Sequence, residues 1–396
     1  MKTLHFPRIA SIGLIAPVLL AATASFGDTP MTSSGKNQYF VYFGTYTGAK
    51  SKGIYVSRFD TATGKLGAPE LAAETKNPSF VAIHPSRLLL YAVGEFSSAG
   101  GKKGGVVSAF AIEPASGKLT PLNQQPAGGG GAPCYVSVDN AGEHALAANY
   151  GGGSIVVLAI NKDGSLGETT ALVQHTGSSV NPKRQAGPHA HAINLDAANR
   201  FVFVPDLGLD KVMIYRYGPK GALTPNKPSF GVVAPGSGPR HIAFHPNGRF
   251  AYVINEMACT MTAFSYDAKH GELKELQSLS TLPAGESVQP GYSTAEVLVH
   301  PSGKFVYGSN RGHDTIVIFA VDPKSGKLTL VGHESTQGKV PRCFGLDPTG
   351  AYLLAANQSS DNVAVFRIDQ KSGKLTPTGQ SIEVGAPVCV MFMPAK

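Results

Sequence analysis

One hairpin recurs along almost the whole chain. In residues 238–256 (GPRHIAFHPNGRFAYVINE) an apolar run follows Gly-Pro, and a His-Pro-Asn-Gly turn then reverses the chain. Phe250, Tyr252 and Ile254 follow at strand period. Related copies turn at His84, Asp139, Asp196, His245, His300 and Asp347, about fifty residues apart. A third strand is expected after each hairpin, as at 155–160, 212–217, 316–321 and 363–368. A second tight turn follows, carrying Gly64, Gly117, Gly164, Gly221, Gly271, Gly326 or Gly373 and closing on a Leu in every copy. Glycine there tolerates the positive φ that a tight hairpin requires. A unit of four strands cannot bury both of its faces alone, so copies at this period must pack on one another in a propeller or a solenoid.

The two ends of the repeat decide between these. The stretch from Tyr39 supplies the second, third and fourth strands of a unit that lacks its first, whereas 386–393 is a first strand with nothing after it. Each end completes the other, which predicts an all-β, seven-bladed propeller of four-stranded antiparallel blades over 39–396, its last blade closed by both termini. The composition agrees, with 42% hydrophobic residues, 15% charged residues, 47 Gly and 28 Pro.

Residues 1–24 read as a secretory signal: Lys2 and Arg8 precede an apolar run over 9–20, and Ala22-Thr23-Ala24 supplies small residues for cleavage. The run is short for a membrane span and contains Pro17, so the mature protein is expected to be exported, periplasmic or secreted, with no membrane association. Residues 25–38 read as a flexible leader. The net charge of +8 is spread singly through turns, which argues for a solvated surface and against nucleic-acid binding. The four cysteines, at 134, 259, 343 and 389, match no metal-site spacing. Three of them fall on or beside inner strands, where a free thiol packs as a small hydrophobe.

Periodicity also locates a site. In an antiparallel pair the start of the first strand lies beside the end of the second, so two columns of residues converge on one mouth of the axial channel. The first column reads Ser79, Cys134, His191, Arg240, Ala295, Arg342 and Val388. The second reads Glu95, Tyr150, Leu207, Glu256, Arg311 and Gln358, with Tyr46 from the N-terminal piece. Variation from Val to Arg among otherwise similar blades marks positions that the repeat does not dictate. His191, Arg240, Glu256 and Arg311 are the expected catalytic set. Arg342, His189, Asn255, Glu95 and Asn149 are expected at the substrate, and the cluster suits an anionic ligand. The competing reading is a plug of salt bridges that merely fills the channel. His84, His245 and His300 are expected to serve their turns on the opposite face. The loops 97–105 and 176–187, bearing Lys102, Lys103, Lys183 and Arg184, are read as mobile and solvated, with a basic rim to the mouth as the alternative. No metal and no cofactor are expected, and a monomer is.

Gly238-Pro239-Arg240-His241, Asn255-Glu256, Gly187-Pro188-His189-Ala190-His191 and Ser309-Asn310-Arg311-Gly312-His313-Asp314, in that blade context, resemble the seven-bladed propeller lactonases. That group includes bacterial 6-phosphogluconolactonases and fungal carboxymuconate lactonizing enzymes. The resemblance covers 39–396 and implies action on a lactone or its ring-opened acid, with the family's His, Arg, Glu and Arg positions falling on His191, Arg240, Glu256 and Arg311. Hydrolysis needs a base for water, a stabilised carbonyl oxygen and a proton for the leaving alkoxide. Either Glu256 or His191 can be the base, with Arg240 and Arg311 holding the oxyanion and the substrate's acidic group. The alternatives are an isomerase that opens or closes a muconate-type lactone and a non-catalytic exported propeller that binds a ligand or a protein.

Overall fold

The computed structural model describes residues 1, 37–99 and 102–395 and contains a closed ring of seven antiparallel sheets. The signal and most of the leader, at 2–36, lie outside the described residues. In blade 1 the C-terminal strand Pro387–Pro394 pairs with Gln38–Thr45, which pairs with Gly53–Asp60, and the outer edge is split between Lys65–Leu66 and Glu70–Glu74. The closing register runs from Tyr39 opposite Pro394 to Gly44 opposite Cys389. Blade 5 is typical of the other six, with strands Pro239–Phe244, Phe250–Asn255, Thr260–Asp267 and Glu272–Ser280 in sequential order.

The core lies between blades, as a repeat that cannot bury itself requires. Phe250, Tyr252, Ile254, Met261 and Ala263 of blade 5 pack on Val297, Val306, Val317 and Phe319 of blade 6. Second strands such as Phe250–Asn255 are therefore buried at every position, whereas outer strands such as Leu166–Gln174 are largely exposed or half-buried. Each such Phe or Ile side chain contributes about 1.5–3 kcal/mol on burial.

The turn-bearing face is stapled from blade to blade. In His84, His245 and His300, Nδ1 accepts backbone N–H bonds from its own turn, which leaves Nε2–H to donate to the carbonyl of Gly142, Gly303 or Gly350 in the next blade. Tyr42, Tyr91, Tyr252 and Tyr307 donate to the carbonyls of Gly117, Gly164, Gly326 and Gly373, again one blade on. At Gly326 φ is 72°, and an added Cβ would stand 2.3 Å from the Phe250 ring. Glycine is thus required there both by the turn and by the neighbouring blade.

At the other face the inner strands are less regular than the sequence spacing suggests. Pairing skips Cys134 between Pro133 and Tyr135, Arg240 between Pro239 and His241, and Arg342 between Pro341 and Cys343. Val388 is skipped likewise, and in blade 6 the skip covers Ala295 and Glu296. These are β-bulges, and a bulge re-aims the unpaired side chain out of the ladder, here toward the axis. In blade 4 the inner strand shrinks to Asn194–Leu195, and His191 is held by its N–H bond to Pro205 at 3.0 Å.

Two loops are tied into the fold, and 176–187 is tethered while staying largely exposed. Ser98–Ala99 and Lys102–Lys103 pair as a two-stranded ribbon. The segment 176–187 is tied down by Ser179 Oγ to Asp210 at 2.6 Å and by Gln185 Nε2 to the Leu207 carbonyl at 2.8 Å. All four cysteines are unpaired and buried.

Candidate active site

The bulged inner strands and the ends of the second strands surround a cavity of about 390 Å³, lined in part by Tyr46, Glu95, Cys134, Tyr150 and His191 and, around them, by Arg184, Glu256, Ser293, Arg311 and Arg342. That is within the range of small-molecule sites. Glu256 organises one wall. Its Oε2 takes Arg240 Nε at 3.1 Å and Arg311 Nη2 at 2.9 Å, and its Oε1 takes Arg184 Nη2 at 2.6 Å. Burial acts to raise this carboxyl's pKa, but Arg311, Arg240 and Arg184 together bring it down to about 2. It is a fixed anion at any ordinary pH.

His191 faces the same carboxylate with Nε2 4.0 Å from Oε2, too far for a direct hydrogen bond. Burial lowers the imidazole pKa well below its ordinary value, and the charges of Arg240 and Arg342 push the same way. The ring is neutral. Its Nδ1 lies 3.6 Å from Cys134 Sγ, whose thiol has the His191 carbonyl as an acceptor at 3.4 Å. A thiol hydrogen on that carbonyl leaves sulfur to accept Nδ1–H, which turns the Nε2 lone pair toward the cavity.

The far wall differs in character. Arg342 stacks over the Tyr46 ring at 5.4 Å, and the Tyr46 hydroxyl donates to Glu95 Oε2 at 2.8 Å. Arg342 forms no ion pair among the described residues, so its guanidinium is the one on this wall open to an anion or to hydroxyl groups.

Of the residues expected here, His191, Glu256, Arg311, Arg342 and Glu95 line the cavity. Arg240 does not. It is 2% exposed and stands behind Glu256, with Nη1 on the Ala295 carbonyl at 2.7 Å and on His241 Nε2 at 3.2 Å. Asn149 and Asn255 are corrected outright. Both are fully buried; the Asn149 amide bonds the Ala127 carbonyl and Ser154, and the Asn255 amide bonds Thr260 and Thr262. Asparagine at a strand end ties neighbouring chain segments together there, and neither residue lines the cavity. His189 is corrected too, since it stacks on Tyr150 with ring centroids 4.6 Å apart and bonds the Tyr150 carbonyl through Nδ1 at 2.8 Å. It braces a cavity residue.

Sequence reasoning missed Arg184. It belongs to a loop with no counterpart in other blades, so no column alignment contains it, yet it holds Glu256 and reaches the Tyr150 hydroxyl at 3.2 Å. Also missed was Glu296, which bonds His241 Nδ1 at 2.8 Å. A carboxylate inside the apolar run STAEVLV was the signal that could have found it. Among the described residues no group of three or more His, Cys, Asp or Glu side chains is arranged to hold a metal ion, and no helix is long and apolar enough to cross a membrane.

Comparison with known proteins meets this geometry. A 6-phosphogluconolactonase of Bacillus subtilis is 38% identical over 357 residues, which is 90% of this chain and 99% of the relative. A 6-phosphogluconolactonase of Formosa agariphila is 34% identical over 78% of this chain and 86% of its own length. The solved structure of a periplasmic gluconolactonase from Pseudomonas aeruginosa superposes with a TM-score of 0.84 at 36% identity, over 91% of this chain and all of that one. Residues 40–392 match the family described as "Lactonase, 7-bladed beta-propeller", and the chain belongs to that lactonase family.

Proposed function

We propose that the chain hydrolyses the ring ester of a sugar-acid lactone of the 6-phosphogluconolactone or gluconolactone type. One observation carries the reading: a neutral imidazole and a permanently ionised carboxylate face each other 4.0 Å apart inside a cluster of guanidinium groups. Two acceptors at that separation suit one water molecule that donates a hydrogen to each from about 2.8 Å. Its lone pairs then point away from both, toward a carbonyl carbon in the cavity. Both oxygens of Glu256 already hold guanidinium groups, whereas His191 Nε2 is left free by the Nδ1 contact with Cys134, so His191 Nε2 takes the water's proton while Glu256 orients the water and the arginines.

Arg311, which lines the cavity, and Arg240 behind it supply positive charge for the carbonyl oxygen as it becomes an oxyanion. On collapse of the tetrahedral intermediate the ester C–O bond breaks, and His191 returns its proton to the leaving alkoxide. The product is the open hydroxy acid. Arg342, Tyr46 and Glu95 are suited to the polyol or anionic tail. The lactonase names of the Bacillus and Pseudomonas relatives support the substrate class.

We further propose export of the mature chain, on the strength of the basic and apolar leader and of the periplasmic relative. The test of the reaction is turnover by purified protein of 6-phosphogluconolactone, unphosphorylated gluconolactone and a muconolactone in ¹⁸O-labelled water. The expected result is one labelled oxygen per opened sugar lactone. Ring opening without label would show an isomerase, and inertness toward the whole panel would reject catalysis of this kind.

A further inference from the structure

Behind the cavity wall lies a buried hydrogen-bonded pair that the proposed chemistry does not use directly. His241 donates Nδ1–H to Glu296 Oε1 at 2.8 Å, and both side chains are buried. Glu296 is held in turn by its own backbone and by the next strand: Val297 N–H donates to Oε1 at 3.0 Å, and the Glu296 N–H donates to Ser309 Oγ at 2.9 Å. The Tyr135 and Phe80 rings close over His241 with centroids at 5.1 Å and 5.9 Å.

The direction of the hydrogen bonds is fixed by chemistry. A guanidinium has only donors, so the 3.2 Å contact of Arg240 Nη1 with His241 Nε2 requires a lone pair on that nitrogen. The hydrogen of His241 is therefore on Nδ1, where Glu296 accepts it, and the imidazole is neutral. The buried sequence of charge reads Glu296 negative, His241 neutral, Arg240 positive, Glu256 negative, and then Arg311 and Arg184 positive.

Glu256 alone serves three guanidinium groups, and Arg240 is the most buried of them at 2% exposure. A charge so placed needs a second source of negative potential and a fixed acceptor geometry. The His241–Glu296 pair supplies both. It does so from blades 5 and 6 at once, since Glu296 sits in the bulge that interrupts pairing after Thr294.

We infer that His241 and Glu296 are positioning residues for the reaction: they hold the Arg240 guanidinium in the one orientation that keeps Glu256 Oε2 facing His191. This rests on the lactonase reading. Displacement of a catalytic group by ~1 Å commonly costs ~100-fold in rate, so H241F, which keeps ring volume but offers Arg240 no acceptor, is expected to lower kcat by ~10–100-fold. KM should stay within about twofold, because neither His241 nor Arg240 lines the cavity. H241Q restores an acceptor toward Arg240 and a donor toward Glu296, and is expected to recover most of kcat. E296Q retains shape and acceptor while removing the charge, and is expected to lose ~10-fold in kcat with an unchanged thermal midpoint.

The measurement is steady-state kinetics of the three variants and the wild type on the best sugar lactone, with thermal unfolding alongside. Wild-type kcat in H241F or E296Q overturns the inference, as does an H241Q variant no better than H241F. If H241F does not fold, E296Q and H241Q against wild type decide by the same criteria. Absence of turnover by the wild type itself is a separate outcome, which rejects the lactonase reading and this assignment with it.

Discussion

The two faces of the ring obey different rules. On the turn-bearing face, four blades make the same contact, a histidine or tyrosine of one blade reaching a glycine carbonyl of the next. At the mouth, corresponding positions carry Cys134, His191, Arg240, Ala295 and Arg342, and no two of these five inner strands share the same environment. Repetition marks where the fold is held together, and departure from repetition marks the residues of the proposed site. The division also extends to charge: the turn face buries carboxylates singly, as where Tyr217 donates to Asp139 and Tyr266 to Asp196, while at the mouth one carboxylate, Glu256, holds three guanidinium groups.

Four experiments break or sharpen that contrast. The largest effect is expected for H191N, which removes the proposed base: kcat/KM should fall by ~100–10,000-fold, with the thermal midpoint little changed, as measured by initial rates and calorimetry. Next is the pH profile. Because burial and the charges of Arg240 and Arg342 lower the His191 pKa, the imidazole stays unprotonated, and competent as a base, below pH 6.5. The acid limb of kcat/KM is therefore expected below that value. R342Q removes one of the cations, raises the His191 pKa and should move the limb to higher pH; a limb that does not move separates Arg342 from His191.

On the opposite face the expected effects are on stability. In G326V a side chain must enter a left-handed turn against the Phe250 ring, and a loss of about 2–4 kcal/mol is expected in denaturant titration, with kcat unchanged in the protein that remains folded. The smallest effect is expected for Y252F. It leaves the Gly326 carbonyl without its donor at 3.1 Å and should cost about 1 kcal/mol with no effect on turnover. A change in kcat from either substitution would dissolve the distinction between the faces.

Acid should act on the mouth through Glu256. The folded pKa of Glu256, at about 2, lies below its ordinary value of 4.5. The unfolded chain therefore binds the proton more readily in that interval, and stability contributed by this group is complete above it and lost as pH falls from about 4.5 toward 2.

Much of this was legible in the sequence, for identifiable reasons. Blade number and closure followed from two kinds of turn and from the unmatched ends, because tight turns depend on a few local residues. The cavity positions His191, Glu256, Arg311, Arg342 and Glu95 followed from lining up strand ends, because the ring's symmetry turns equal sequence offsets into equal places. The bulges at Cys134, Arg240 and Arg342 leave no local signature, since an extra residue in one strand shows only against its partner. Arg184 was hidden for a related reason: it lies 72 residues from Glu256 in a loop outside the repeat. Asn149 and Asn255 were misread because a polar residue next to a mouth position can face the neighbouring loop instead of the axis. The inward depth of Arg240 depends on the His241–Glu296 pair, which only the juxtaposition of two blades creates.

The shared first blade has a consequence for the order of events in the life of the chain. Strand Gln38–Thr45 has one edge with no partner until Pro387–Pro394 arrives, so nearly the whole chain must be made before the ring can shut. Every other blade is assembled from neighbours in sequence; this one needs contacts across the longest possible loop, which form late. Under the export proposed above, that delay is useful. A ring that cannot lock until its last strand is present would stay threadable during such a passage, and closure would then record the arrival of strand Pro387–Pro394.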